Sequence, residues 1–231
     1  MTATAPKLVI FDCDGTLVDS QHAIVAAMGD AFLSEGLTVP SRERVIGVVG
    51  LSLDIAIARL VPAGSDLPLV DRLSDAYKAA FAARRRRPDH LEPLYDGVRE
   101  TLQRLAARDD VVLGIATGKS RRGVDAVLAR EDLASLFDTI QTADTHPSKP
   151  HPSMVFAAMD ETGAIPADTV VIGDTTYDIE MALGAGASSI GVSWGYHPSE
   201  ALQAAGAHHV SDDCAALELA LEQMMFRRLT A

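Results

Sequence analysis

The stretch LVIFDCDGTLVDSQ, residues 8–21, places two carboxylates directly after an apolar run. The apolar residues 8–11 are typical of a strand that is buried on both faces of a parallel sheet. Because side chains alternate along an extended chain, Asp12 and Asp14 should point to the same side. Two close ionised carboxylates repel each other and resist burial. We therefore expect this pair to serve a bound cation or a chemical reaction.

Further short apolar runs recur along the chain with helical patterns between them, at 111–116, 170–172 and 188–192. Such alternation predicts an α/β fold built on a parallel sheet. Two of the runs end in polar clusters, ATGKS (116–120) and GDTTYD (173–178), as the first run does. The carboxyl ends of the strands form the binding crevice in open parallel sheets. The three clusters, although distant in sequence, are therefore expected to converge.

The strand pattern gives way to helical spacing of apolar residues over 20–87. We predict a core domain formed by residues 1–19 and 88–231, and an inserted helical cap domain formed by residues 20–87. Because the insertion begins directly after the first polar cluster, the cap should rise over the crevice and act as a lid. Four arginines at 84–87 end the last of these helices, where we expect them to be solvated and to complement the helix dipole.

Length, composition and charge limit the classes of protein. The chain has 231 residues, of which 48% are hydrophobic and 23% charged, and its formal net charge is −12. This acidity disfavours nucleic-acid binding, which depends on neutralising phosphates. No apolar run approaches the roughly 20 residues of a membrane span, and no signal peptide pattern opens the chain, so we expect a cytoplasmic protein with no membrane partner. The two cysteines, Cys13 and Cys214, are expected to be reduced.

The polar clusters contain the groups that phosphoryl transfer requires. One carboxylate can attack a phosphoryl group to form an aspartyl phosphate, and a second carboxyl group can protonate the departing oxygen and later activate water. Asp12 and Asp14 could supply these two roles. A phosphate beside carboxylates needs a hard cation with oxygen ligands, for which Mg²⁺ is the natural candidate. Asp174 and Asp178 in the third cluster supply further carboxylates.

Two further segments add groups that can hold a phosphate. Thr117 offers a hydroxyl at the end of an apolar run, and Gly118 and Lys119 turn into a helix whose free backbone amides can seat a phosphate. Lys149 lies in the loop SKPHP. Its ammonium could neutralise the phosphoryl oxygens and a nucleophilic carboxylate together.

In this order the segments FDCDGTLVDS, ATGKS, SKPHP and GDTTYDIEMALGAG resemble the four motifs of the haloacid dehalogenase-like (HAD) superfamily. The resemblance spans residues 7 to about 195. It implies a Rossmann-like three-layer core with an inserted α-helical cap, as in phosphoglycolate-phosphatase-like members. It also implies that Asp12 is the nucleophile and Asp14 the general acid/base, and that Asp178 binds the metal directly or supports its ligands. By the same resemblance, the catalytic residues are Asp12, Asp14, Thr117 and Lys149. The substrate-binding residues are Gly15, Thr16, Gly118 and Lys119. The magnesium ligands are Asp12, Asp174, Asp178 and the Asp14 backbone carbonyl.

By this resemblance we expect a Mg²⁺-dependent phosphoric monoester hydrolase, monomeric or homodimeric, that acts on a small phosphorylated metabolite. Phosphoglycolate is the leading candidate substrate. The alternatives are a sugar phosphomutase of the beta-phosphoglucomutase type, in which a different residue usually stands where this chain has Gly15-Thr16, and an inorganic pyrophosphatase. A non-catalytic binding module of the same fold should have lost Asp12, Asp14 or the lysine, and this chain has all three.

Other conspicuous residues carry weaker predictions. Three histidines lie beside prolines without paired metal-ligand spacing, so we expect them in surface loops: His146, His151 and His197. Aromatic residues after the last apolar run are expected to pack at the edge of the crevice: Trp194 and Tyr196. Three cap residues are candidates for contact with the leaving group: Gly50, Ser52 and Arg59.

Overall fold

The computed structural model describes residues 5–87 and 92–226, which contain one parallel sheet of six strands. The strands are β1 (Lys7–Phe11), β2 (Val111–Thr117), β3 (Thr139–Thr142), β4 (Thr169–Gly173), β5 (Ser188–Val192) and β6 (His209–Ser211). Their order across the sheet is β3-β2-β1-β4-β5-β6, and every neighbouring pair is parallel. The first strand of the chain therefore lies inside the sheet, between β2 and β4.

Helices follow the strands in two groups. Among the described residues, five α-helices come between β1 and β2, and the first four of them form one group: α1 (Gln21–Ser34), α2 (Arg42–Ile46), α3 (Leu53–Leu60) and α4 (Leu67–Arg85). The remaining helices are α5 (Val98–Ala106), α6 (Arg121–Glu131), α7 (Ser153–Thr162), α8 (Thr176–Gly184), α9 (Ser199–Ala204) and α10 (Cys214–Leu221), with a π-helical turn at Glu222–Phe226. Within the described ranges, no helix is both long and apolar enough to cross a membrane.

Alternating residues of β1 pack on opposite faces of the sheet. Val9 and Phe11 belong to a hydrophobic cluster that α5, α6 and α10 complete. Leu8 and Ile10 belong to a second cluster that α7 and α8 complete. The sheet is thus the middle of three layers, and the continuous apolar run of β1 follows from burial on both faces.

The helices α1 to α4 share a hydrophobic cluster of their own. Phe32 of α1, Ile57 of α3 and Leu73 of α4 are almost completely buried in it. The end of α4 is tied to α1 by Arg84, whose Nη2 lies 2.6 Å from Oδ2 of Asp30. These helices therefore have a core that is separate from the two clusters on the sheet.

The predicted Rossmann-like α/β fold is confirmed, and four of the six strands lie where apolar runs predicted them. The sequence did not reveal β3 and β6, which are short, contain polar residues and lie at the two edges of the sheet. Edge strands are not flanked on both sides, so they need no continuous apolar run.

Two expectations about the helical insertion have different outcomes. The domain boundaries, 1–19 and 88–231 for the core and 20–87 for the cap, stay a prediction, and residues 88–91 lie outside the described ranges. The expectation of four solvated arginines is wrong in part. Arg84 and Arg85 are half-buried in ion pairs, the second with Glu92 at 3.4 Å, whereas Arg86 and Arg87 are exposed.

The layered core predicts a large loss of stability on truncation of Leu102, which is fully buried on α5. Leu102→Ala should lower the free energy of unfolding by about 2–5 kcal/mol, because lost burial and the remaining cavity both destabilise, and urea denaturation measures this loss. The control is Leu67→Ala, since the Leu67 side chain is 78% exposed. It should change the free energy by less than about 0.5 kcal/mol. Equal losses in the two variants would contradict the assignment of Leu102 to the core.

Candidate active site

Three neighbouring strands end in the polar clusters of the sequence. Asp12 directly follows β1, Thr117 is the last residue of β2, and Asp174 directly follows β4. β1 pairs with β2 on one side and with β4 on the other, all in parallel. The three clusters therefore meet at the carboxyl edge of the sheet, as the strand pattern predicted.

The carboxylates of Asp12, Asp174 and Asp178 form a buried group, here called the three-carboxylate group. One oxygen from each side chain lies within 4.8 Å of the others. Asp174 is fixed on both oxygens: the Thr16 hydroxyl donates to Oδ1 at 2.8 Å, and the Tyr196 backbone N–H donates to Oδ2 at 2.9 Å. The group offers oxygen ligands only, which are the ligands that Mg²⁺ prefers.

Burial makes the three-carboxylate group electrostatically costly. It raises the pKa of Asp12 to about 6, although the ammonium of Lys149 opposes the rise. It also raises the pKa of Asp174 well above its ordinary value, and the charges of Asp12 and Asp178 raise it further. Oδ2 of Asp12 is buried and has no hydrogen-bond partner among residues 5–87 and 92–226. Because an unpartnered buried carboxylate oxygen requires a proton or a cation, these residues fit a divalent metal ion.

Lys149 lies between two members of the three-carboxylate group. Its Nζ is 2.9 Å from Oδ1 of Asp12 and 2.5 Å from Oδ1 of Asp178. Burial alone would lower the pKa of Lys149, but the two carboxylates more than offset burial and raise it. The other oxygen of Asp178 accepts from the backbone N–H and the hydroxyl of Thr175, at 3.1 and 2.7 Å. Both oxygens of Asp178 are thus already hydrogen-bonded within the protein.

Asp14 has partners that differ from those of Asp12. Its Oδ1 accepts from the Ser20 hydroxyl at 2.6 Å and from Nζ of Lys119 at 2.7 Å. Nζ of Lys119 also lies 3.2 Å from Oε1 of Glu92, whose side chain is buried. Burial would lower the pKa of Lys119, but Asp14 and Glu92 raise it above its usual range. The Asp14 carboxylate stands outside the three-carboxylate group, so the two aspartates of the first motif have separate environments.

Close packing around the site requires glycine at several positions, of which Gly15 and Gly118 join different segments of the chain. Gly15 has a φ of +94°, and a Cβ atom there would lie 2.2 Å from Oδ2 of Asp174. A Cβ atom at Gly118 would lie 2.5 Å from the carbonyl oxygens of Gly50 and Leu51, which belong to the loop before α3. Glycine at 15 lets the first motif pack on Asp174, and glycine at 118 lets the cap loop pack on the core.

Comparison with known proteins agrees with this arrangement of four ordered segments around buried aspartates. A family model described as haloacid dehalogenase-like hydrolase matches residues 9–192. The chain belongs to this family. The prediction made from the four HAD motifs is therefore confirmed.

Relatives in the HAD family cover nearly the whole chain. The "Probable phosphatase IndB" of Dickeya dadantii (strain 3937) is 37% identical over 203 residues, which are 86% of each chain. A "Phosphoglycolate phosphatase" of Pseudomonas putida is 32% identical over 216 residues, 93% of this chain and 79% of the relative. A crystal structure of a predicted phosphoglycolate phosphatase from Haemophilus somnus 129PT shares the fold, with a TM-score of 0.83 at 24% identity over 94% of this chain and 99% of that one.

The cap of this HAD-family chain contacts the core beside the site. The Ser52 backbone N–H donates to Oγ of Ser148 at 2.8 Å, in the loop that precedes Lys149. The Tyr177 hydroxyl, on α8, donates to the carbonyl of Gly47 at 3.0 Å and accepts from Nη1 of Arg59 at 3.0 Å. Of the cap candidates named from the sequence, Ser52 therefore lies at the core–cap contact, and Arg59 is held by Tyr177.

A cavity of about 1070 Å³ extends from the carboxyl end of the sheet into the cap. Five predicted site residues line it: Asp12, Asp14, Thr117, Gly118 and Lys119. Lys149 and Asp178 are buried behind Asp12 and do not line it. The predicted site residues thus form two sets. One is a buried cluster of charged groups, and the other lines the cavity, where a ligand can reach it.

Sequence reasoning missed two polar residues that position Asp14. Ser20 hydrogen-bonds Asp14 directly, and Glu92 acts through Lys119. Glu92 is 27 residues from Lys119 and separated from it by a whole helix and strand, so no local spacing could reveal the pair. Trp194, expected only to pack, also donates from Nε1 to the carbonyl of Thr16 at 3.1 Å.

All three histidines lie in loops, as expected, but two of them are only partly exposed. His146 is half-buried, with Nε2 2.9 Å from Oε1 of Gln141. His197 is half-buried, and its Nδ1 accepts from the backbone N–H of Thr176 at 3.2 Å. Only His151 of the three is exposed. Polar neighbours within the fold, which local sequence does not show, hold the other two.

The three-carboxylate group predicts that Mg²⁺ raises the thermal unfolding midpoint, because a bound cation relieves carboxylate repulsion. At 100 times its dissociation constant, the ion should add about 2.7 kcal/mol. The rise should weaken as the pH falls through about 6, the pKa of Asp12, because a protonated carboxyl group binds the cation poorly. Scanning calorimetry with Mg²⁺ and with EDTA measures both effects.

The matched variants for this experiment are Asp174→Asn and Asp109→Asn. Asp174 belongs to the three-carboxylate group, whereas Asp109 is an exposed acid in the turn before β2. The first variant should lose the response to Mg²⁺, and the second should keep it. A full response in Asp174→Asn would show that the ion binds elsewhere.

Proposed function

We propose that the chain is a Mg²⁺-dependent phosphatase that hydrolyses the phosphomonoester of a small metabolite through an aspartyl phosphate on Asp12. The observation that supports this most is the separation of the first two aspartates. Asp12 pairs with Lys149 inside the three-carboxylate group, whereas Asp14 is held by Ser20 and Lys119. Two carboxyl groups in different environments can take the two different roles that the reaction needs.

In the proposed first step, Oδ2 of Asp12 attacks phosphorus while the ester P–O bond breaks. With a pKa of about 6, Asp12 is mostly ionised at pH 7, and the ammonium of Lys149 favours that ionised form. Asp14 transfers its proton to the leaving oxygen, which departs as an alcohol. The products of this step are the aspartyl phosphate, the alcohol and an ionised Asp14.

In the proposed second step, a water molecule gives a proton to the Asp14 carboxylate, and its oxygen attacks phosphorus. The bond between phosphorus and Asp12 then breaks, so inorganic phosphate leaves and both aspartates return to their starting states. The hydrogen bond from Ser20 and the ion pair with Lys119 hold Asp14 in place for both proton transfers. The sum is one phosphomonoester and one water converted to one alcohol and one phosphate.

Several groups would stabilise the phosphoryl group in this reaction. We assign that task to the Thr117 hydroxyl and the Gly118 backbone N–H, at the end of β2. Mg²⁺, when bound, would be held by Asp12, Asp174 and the Asp14 backbone carbonyl and would neutralise phosphoryl charge. Oδ1 of Asp178 is paired with the ammonium of Lys149 at 2.5 Å, whereas Asp174 accepts only from neutral groups. Because a cation already occupies Asp178, we assign it a supporting role rather than direct metal binding.

Lys119 was predicted to bind substrate, and we revise its role. Its ammonium is engaged by Asp14 and Glu92. We therefore propose that Lys119 orients Asp14 and sets the charge around it, while only its backbone borders the phosphate seat. The phosphate seat then consists of the residues at the end of β2 and the first motif with Gly15 and Thr16.

The class of enzyme predicted from the sequence, a phosphoric monoester hydrolase, is confirmed by the family and the names of the relatives. Phosphoglycolate, the leading candidate from the sequence, is the first compound to assay because several relatives are named phosphoglycolate phosphatases. Phosphomutase and pyrophosphatase activity are alternatives that the same assay distinguishes. The cytoplasmic location and the oligomeric state remain predictions.

The mechanism predicts different losses in Asp12→Asn and Asp14→Asn. Asp12→Asn should abolish phosphate release, because an amide cannot form the aspartyl phosphate. Asp14→Asn should lower kcat by about 10²–10⁴-fold through loss of the general acid/base, with binding of inorganic phosphate largely retained. A coupled phosphate-release assay and calorimetric titration with phosphate measure these effects.

The exposed-acid variant Asp109→Asn is the control for both and should match the wild type. Phosphate release by Asp12→Asn at the wild-type rate would exclude Asp12 as the nucleophile. A wild-type kcat in Asp14→Asn would exclude Asp14 as the general acid/base. Conversion of a sugar phosphate without phosphate release would instead support a mutase.

A further inference from the structure

The cavity at the active site widens into a chamber inside the cap, which we define by six apolar or aromatic lining residues: Ile24, Met28, Val45, Val49, Tyr77 and Phe81. The whole cavity, about 1070 Å³, matches the upper end of the roughly 300–1,000 Å³ that drug-sized ligands occupy. A phosphate carrying a two-carbon acid would leave most of this space to water. The volume therefore fits a larger leaving group.

One face of α4 forms an aromatic wall that leads away from the catalytic end. Ser74, Tyr77 and Phe81 are spaced by three and four residues, so they share a helix face, and all three line the cavity. The rings of Tyr77 and Phe81 lie 5.7 Å apart at a tilt of 38°. Nζ of Lys119, which contacts Asp14, lies 5.3 Å from the Phe81 ring centroid. The wall thus begins beside the proposed acid, where a leaving alcohol would emerge.

Ser74 provides an unused hydrogen-bonding group on this wall. The residue is 93% buried, and its Oγ has no hydrogen-bond partner in the described part of the chain. A buried hydroxyl without a partner costs about 1–3 kcal/mol, so it marks a position where a ligand can supply the missing hydrogen bond. Burial raises the pKa of the neighbouring Tyr77, so its phenol remains neutral.

The two buried or half-buried cations that border the chamber, Lys119 and Arg85, share the carboxylates of Asp14 and Glu92. Lys119 is paired with Asp14 and Glu92. Nε of Arg85 lies 3.4 Å from Oε2 of Glu92, and its Nη2 donates to the carbonyl of Gly123 at 3.3 Å. Glu92 also pairs with Arg130 at 3.6 Å, and Nε of Arg85 is buried without a hydrogen-bond partner in the described part of the chain. Selection in the chamber therefore rests on its volume, its aromatic residues and Ser74 rather than on charge.

The mouth of the cavity carries exposed side chains of both charges. Three basic side chains line it in exposed positions, Lys78, Arg86 and Arg122, but four exposed aspartates line it as well. Water and salt screen such exposed charges strongly. Charge at the mouth therefore adds little to the selection of the leaving group.

We propose that this chamber selects phosphomonoesters whose leaving alcohol is bulky, in preference to phosphoglycolate. The alcohol carries a flat ring that packs on the wall of Tyr77 and Phe81, and a polar group that hydrogen-bonds Ser74. Nucleoside 5′-monophosphates have these properties. The inference rests on the proposed phosphatase activity and names the class of substrate for that same site.

Steady-state phosphate release with Mg²⁺ tests the inference on four compounds. Adenosine and uridine 5′-monophosphates have bulky, uncharged leaving groups, glycerol phosphate has a small uncharged one, and phosphoglycolate has a small anionic one. We expect kcat/KM to be at least about tenfold higher for one of the nucleotides than for either small compound. A higher kcat/KM for phosphoglycolate or glycerol phosphate than for both nucleotides would overturn the inference and leave the phosphatase activity standing. No release from any compound, including 4-nitrophenyl phosphate, would overturn both.

Variants of Ser74 test whether the chamber determines which leaving group is preferred. Ser74→Leu places a larger side chain in the chamber. It should lower the ratio of kcat/KM for the nucleotide to kcat/KM for glycerol phosphate by about tenfold or more. Ser74→Ala removes only the hydroxyl and should lower the same ratio about fivefold. Ala79→Leu adds the same bulk at an exposed position of α4 outside the lining and should leave the ratio unchanged. An unchanged ratio in both Ser74 variants would show that the leaving group binds elsewhere.

Discussion

The contact of one buried ammonium with two buried carboxylates determines much of this structure. Lys149 lies between Asp12 and Asp178, and all three side chains are almost completely removed from solvent. With Asp174, the group holds three carboxylates and one ammonium, which leaves two formal negative charges. The divalent cation that we propose for this site would balance that remainder. Loss of the ammonium would leave three buried anions beside one another.

The surrounding strands and hydrogen bonds hold these charged side chains in fixed positions. Asp12 and Asp174 follow adjacent strands of one sheet, so the strand pairing sets their separation. Thr16 and the backbone of Tyr196 occupy both oxygens of Asp174, and Thr175 occupies one oxygen of Asp178. Such fixed hydrogen bonds hold a site in its working geometry before any ligand arrives. Oδ2 of Asp12, the oxygen that we propose attacks phosphorus, has no hydrogen-bond partner within the described ranges.

Sequence alone predicted the interior strands and the motif residues, because both have local signals. The run before Asp12 is apolar on both faces, and the motifs have fixed composition and order. Pairings across long sequence separations had no such signal: Glu92 with Lys119, and Gly118 with the carbonyls of Gly50 and Leu51, depend on how the cap folds back on the sheet. The acidic partners of Lys119 were not predicted for the same reason, since a lysine in the turn after β2 gives no hint of two acidic partners.

The loop before α3 packs against the turn after β2, and the two backbones are in close contact at Gly118. Tyr177 adds a second connection, because the helix that carries Asp178 also binds the carbonyl of Gly47. The cap is therefore not an interchangeable module. A chimera that grafts the cap of a relative onto this core must bring a loop of the same path, or the catalytic turn and the transplanted helices will exclude each other.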